Sequence, residues 1–210
     1  MTVNAVKTGL YTMAFLAIAV SLYALSYYFI SGQGFLLSKG PLAANPFWKT
    51  AFYIHAGSGA VALGTGWLQF FEKHRKRHIN RHRAIGKIYA IAIIGFGSTS
   101  GMVLAYNASG GLAAKVGFGL LAFVWFYTTL QAWLQIAAGN IQQHSMWMTR
   151  SYALTLAAVT LRIWLPLALL NNINDAYPAI SWFCWVPNLL VVEWFIIPRV
   201  VKKWQNSTGQ

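Results

Sequence analysis

Four ionisable side chains lie within or at the edge of apolar stretches in a chain that otherwise keeps charge out of them: His55, Arg162, Glu193 and His82. An ion at bilayer depth is costly, so it is normally paired, turned inward and functional. The chain has only three acidic residues, Glu72, Asp175 and Glu193. A carboxylate inside an apolar stretch therefore needs a cation, and Arg162 is the expected partner of Glu193. Such groups can bind a small ion or solute, or pass a proton.

A second constellation is imidazole-based. His82-Arg83 precedes one apolar stretch and His144 precedes another by about one turn, followed by Trp147, Met148 and Arg150. Two neutral imidazoles at similar depth on different elements can ligate one haem iron axially or share a smaller metal. Arg83, Lys87 and Arg150 would then neutralise haem propionates. The competing reading has both histidines hydrogen-bonding headgroups and loop carbonyls. His74 and His78 stand in the run Lys73-His74-Arg75-Lys76-Arg77-His78, where surrounding positive charge disfavours a bound cation. They are expected to be solvated.

The elements that must position these groups follow from composition. At 57% hydrophobic and 9% charged, with a mean hydropathy of +0.49, the chain is an all-α membrane protein and not a soluble domain. The apolar windows predict a single transmembrane domain over residues 1–210: a bundle of six spans at about 9–30, 49–71, 87–106, 115–137, 151–171 and 181–199. The first is read as a retained span because no small-residue cleavage site follows it. Ser31-Gly32-Gln33-Gly34, Asn107 to Gly111, Gly139-Asn140 and Asn171 to Asp175 punctuate the spans, and Pro166 and Pro187 predict kinks in the fifth and sixth.

Seven of the sixteen Lys and Arg residues fall between Lys73 and Lys87. With Lys7, Arg150, Arg199, Lys202 and Lys203 they lie on one side of an alternating bundle, against Lys39, Lys49 and Lys115 on the other. That bias places both termini in the cytoplasm of a multi-pass inner-membrane protein. The Lys73–Lys87 loop is expected to meet anionic lipid headgroups, not nucleic acid. Cys184, the one cysteine, reads as a small core residue.

Along the second span, His55, Gly59, Ala62, Gly66 and Gln69 share one face, polar at both ends and small between. Depths follow from 1.5 Å per residue: about 9 Å below the outer boundary for His55, ~13 Å for Arg162, ~10 Å for Asn188 and ~18 Å for Glu193. An outer-half polar cluster of these four is expected, well separated from His82 and His144.

His82-Arg83-x-x-Gly86-x-x-Tyr89 and His144-x-x-Trp147-Met148-x-Arg150-Ser151-Tyr152-Ala153-Leu154, running on to Leu161-Arg162, resemble a bacterial polytopic membrane family, domain-of-unknown-function family 2306. The resemblance spans about residues 50–170 and implies a compact multi-span inner-membrane protein, without a reaction. The likeness to membrane b-type cytochromes is one of plan alone, leaving room for at most one bis-histidine haem.

Three readings stay open. The first is a redox protein holding haem b or a metal at His82 and His144 and exchanging electrons with quinone. The second is a transporter of a small solute or proton using His55, Arg162 and Glu193. The third is a non-catalytic subunit or assembly factor of a larger membrane complex. No HExxH, GxSxG, paired acidic motif or phosphate loop is present, which argues against hydrolysis.

Overall fold

The computed structural model describes residues 3–30 and 34–208, the side chains of 3–6, 73, 74, 203, 207 and 208 excepted. The helices are α1 (Val3–Ser26), α2 (Gly34–Ser38), α3 (Pro46–Gly66), α4 (Glu72–Arg77), α5 (Ile79–Ile91), α6 (Ser98–Tyr106), α7 (Gly111–Ala137), α8 (Ile141–Thr155), α9 (Ala157–Leu170), α10 (Tyr177–Phe183), α11 (Val186–Val191) and α12 (Ile197–Thr208). A π-helical turn over Ala92–Gly97 joins α5 to α6, and another over Val192–Ile196 joins α11 to α12. The described residues contain no strand.

Five helical runs among the described residues are long and apolar enough to cross a bilayer: Lys7–Ser26, Ile79–Tyr106, Gly111–Ala137, Ile141–Leu170 and Tyr177–Asn206. The remaining expected span falls on α3 and a 3-10 turn, Trp67–Phe70. Its 21 helical residues are sufficient in length. His55, Ser58 and the glycines at 57, 59, 64 and 66 make it more polar than the others.

Helix limits follow local chemistry. Asn45 caps α3, its side chain accepting from the Trp48 backbone N–H at 3.1 Å, with Pro46 in the first turn. Gly110 and Gly111, at φ +90 and +73, turn the chain into α7, and Gly139 at φ +79 turns it out again. Of the loop 31–34 expected to end the first span, 31–33 lie outside the described residues, and Gly34 opens α2 at φ +52.

Two helices begin earlier than expected. The third apolar run starts at Ile79 and the fifth at Ile141, so His82 and His144 both lie in first turns. Polar opening turns hide such starts from a hydropathy window. The kink assigned to Pro166 is also displaced. Pro166 lies within α9, and the run breaks ten residues earlier, at Leu156. The sixth run breaks at Cys184-Trp185, just ahead of Pro187, as a proline without an N–H requires.

The chain divides into two compact units, Met1–Leu104 and Ala105–Gln210. In the first, α1 packs on α3, and α3 on α5 and its π turn. Ser21 Oγ donates to the Ala60 carbonyl at 2.8 Å, and Tyr27, Leu36, Trp48 and Phe52 form an aromatic core. In the second, α7 packs on α8 and α10. Thr129 and Ser151 hydroxyls share a 2.7 Å hydrogen bond, and Trp125 Nε1 donates to Thr155 Oγ1 at 2.9 Å. These buried polar contacts are the interhelical glue expected in lipid.

Candidate functional site

In the second unit, Glu193 occupies the π turn at 192–196. Arg150 on α8 meets both of its oxygens, Nε to Oε1 at 2.5 Å and Nη2 to Oε2 at 2.9 Å. This is the bidentate fork that a planar guanidinium makes with a carboxylate. The Arg150 side chain is 16% exposed and that of Glu193 40%. The guanidinium also lies 4.7 Å over the Trp147 ring, and Trp147 meets Tyr127 edge-on. A cation on the tryptophan face adds to the hold on Arg150.

This replaces the expected Arg162–Glu193 pair. Arg150 precedes Arg162 by twelve positions, about 18 Å of helix, so Glu193 sits beside the second half of α8. Arg162, half-buried, donates from Nη1 to the Ala158 carbonyl at 2.8 Å, one turn back on its own helix. The outer-half cluster therefore divides, with Glu193 leaving Arg162 and Asn188. The signal that locates Glu193 is the true start of α8 at Ile141, which brings Arg150 into the helix.

Asn188 serves the two breaks. Its Nδ2 donates towards the carbonyls of Ala153 at 3.2 Å and Cys184 at 3.1 Å, and towards Thr160 Oγ1 at 3.0 Å. Ala153 precedes the Leu156 break and Cys184 stands at the other. One amide thus reaches both helices where their ladders are interrupted. Irregular backbone at membrane depth must find such partners within the protein. Cys184 is buried and unoxidised beside this contact, as a core residue.

In the first unit, His55 Nδ1 lies 2.9 Å from the Gly97 carbonyl, the last residue of the π turn at 92–97. A carbonyl only accepts, so Nδ1 carries the proton and Nε2 the lone pair in the neutral ring. At the other end of the His55 face, Gln69 is buried, and its Oε1 has no hydrogen-bond partner among the described residues. Ser98, which follows Gly97, is fully buried, and its Oγ likewise has no hydrogen-bond partner among the described residues. His82 stands half-buried in the first turn of α5, with Arg83 and Lys87 exposed on the same helix. His78 is the N-cap of α5, while the His74 side chain lies outside the described residues.

His144, in the second unit, repeats the arrangement of His55. Its Nδ1 lies 2.8 Å from the Ala132 carbonyl on α7, which fixes Nε2 as the basic nitrogen. Metal-ligating histidines are commonly oriented this way. Yet no group of three or more His, Cys, Asp or Glu that could hold a metal ion exists among the described residues. Arg150, read as a propionate partner, has its guanidinium on Glu193.

The acids are accounted for individually. Glu72 pairs with Lys76 at 2.8 Å in an exposed i,i+4 contact of little energetic weight. Asp175 is exposed in the turn after α9.

The family model for a predicted membrane protein, DUF2306, matches residues 52–196, and the chain belongs to that family. The match takes in His55, His82, His144, Arg150, Arg162, Asn188 and Glu193. No curated protein and no solved structure matches the chain.

Proposed function

We propose that this member of the DUF2306 family moves a proton or a small solute across the inner membrane through its second unit, with Glu193 and Arg150 as the working pair. One observation carries the reading. A bidentate carboxylate–guanidinium pair sits in a π turn of one membrane-crossing helix and faces another, both helices being interrupted nearby. π turns and broken helices concentrate at functional sites, and discontinuous helices are how many transporters build theirs. Protonating Glu193 removes the charge that holds Arg150. The carboxyl and the guanidinium are then no longer bound as an ion pair, and the segments beyond Leu156 and Cys184 can shift about Asn188. Arg162, in the same unit, supplies a fixed positive charge.

The test is two-sided accessibility. In a Cys184→Ala background, Thr160→Cys puts a thiol beside Asn188. The reading expects membrane-impermeant maleimide to label it from one side at neutral pH and from the other at acid pH. Protection from both sides at every pH overturns it.

A second reading, haem b with quinone as electron partner, is favoured by the orientation of His144. Bound haem would supply one-electron chemistry, and within the second unit His144 would offer Nε2 to it. A stoichiometric Soret band lost in His144→Ala supports it, and a colourless protein rejects it. On either reading the basic Lys73–Lys87 segment, which is helical in α4 and α5 where a loop was expected, meets anionic headgroups. Co-purification with a stable larger complex would instead favour a subunit role.

A further inference from the structure

The last membrane-crossing run is longer than a bilayer. Tyr177–Asn206 covers 30 residues, about 45 Å of helix against a hydrocarbon core of ~30 Å. Roughly ten residues must therefore stand in the headgroup layer or beyond it. Composition says which ones. In α12, cations begin at Arg199 and recur at Lys202 and Lys203.

The same helix is strongly amphipathic. At 100° per residue, Ile197, Val200, Val201 and Trp204 fall on one stripe, while Arg199, Lys202 and Asn206 fall opposite. The apolar stripe is used inside the protein. Ile197 is buried with Ala153 and Val192, and Val201 packs on that cluster. Arg199 and Lys202 are exposed, three positions apart and so neighbours on the helix surface. The apolar face is thus spoken for, and the cationic face stands outward at headgroup depth.

We infer that α12 is a binding site for anionic phospholipid, with Arg199 and Lys202 taking the headgroup phosphate. Charge decides the occupant. α12 contains no acidic residue, and Glu193, just ahead of it, is held by Arg150. A headgroup with net negative charge is therefore favoured over a zwitterionic one, which brings its own cation. Trp204, half-buried on the apolar stripe, lies where interfacial tryptophans anchor helices. The packing beneath α12 also reaches residues next to the ion pair. The cluster under α12 includes Val192 and Ala153, the neighbour of Glu193 and a residue one turn from Arg150. A headgroup on α12 therefore steadies the segment that holds the pair. The inference stands whether or not the protein is a transporter.

The test follows the unfolding temperature of the full chain in neutral detergent while phosphatidylglycerol or phosphatidylcholine is added. Phosphatidylglycerol is expected to raise it where phosphatidylcholine does not. Arg199→Gln/Lys202→Gln is expected to keep the lipid-free value and to need roughly 30-fold more phosphatidylglycerol for the same rise, as losing two surface cations implies. Should the double variant fail to fold, Lys202→Gln alone is expected to need about 5-fold more. A variant that responds like the wild type overturns the site, as does an equal response to both lipids. A response lost only on neutralising Arg75 and Arg77 would assign the lipid to α4 and overturn it too.

Discussion

Removing the Arg150–Glu193 pair tests the geometry on which the functional reading stands. Two hydrogen bonds to charged groups, at 2.5 and 2.9 Å, would each contribute roughly 1.5–3 kcal/mol if buried. Glu193 is 40% exposed at its side chain, so water and headgroups compete, and fully exposed pairs contribute about 0–1 kcal/mol. Between these limits we expect a coupling energy of about 2 kcal/mol. A double-mutant cycle measures it: Arg150→Met, Glu193→Leu and the double variant, unfolded reversibly in mixed micelles with tryptophan fluorescence as the probe. Arg150→Met should cost about 0.5–1 kcal/mol more than Glu193→Leu, because it also loses the contact with the Trp147 ring. The double variant should be clearly more stable than the summed single effects. A coupling energy below about 0.5 kcal/mol would refute the reasoning, since the pair would then be no stronger than an exposed surface contact.

Other consequences are shorter. A Cβ on Gly117 would collide with Ser181 Oγ and come within 3.0 Å of Trp182 Nε1, whereas one on Gly119 meets nothing within 4 Å. Gly117→Ala should therefore cost about 1–3 kcal/mol in the same unfolding assay, and Gly119→Ala should be neutral or slightly stabilising. Asn188→Leu leaves the Ala153 and Cys184 carbonyls without their amide donor. It should cost about 1–3 kcal/mol and speed amide exchange around Leu156 and Trp185.

Much of this was legible in the residues. Apolar windows locate the membrane-crossing helices, and glycines at 110, 111 and 139 mark turns that need positive φ. The histidine and tryptophan motifs point to the family that matches 52–196. What the sequence hides is hydrogen-bonding at irregular backbone. Hydropathy windows begin the fifth span at 151 because Ile141 to Arg150 is polar, and so leave Arg150 outside the membrane and hand Glu193 to Arg162. The break at Leu156 has no proline or glycine to announce it. It follows from tertiary contact, the Asn188 amide holding the Ala153 carbonyl across from another helix. Neither π turn has a composition signal, yet one carries Glu193 and the other presents the Gly97 carbonyl to His55. Pro166 misleads in the opposite sense, since it sits in a continuous helix near its end.

The most direct test of transport through the second unit is proton flux into proteoliposomes carrying a pH-sensitive dye. After an imposed pH step, wild-type protein should collapse the gradient faster than protein-free vesicles, alone or with a co-transported solute. Glu193→Gln, which keeps the side-chain shape and removes the titrating group, should fall to the vesicle baseline. A Glu193→Gln rate equal to the wild-type rate would contradict the account and leave the Arg150–Glu193 pair a structural clasp.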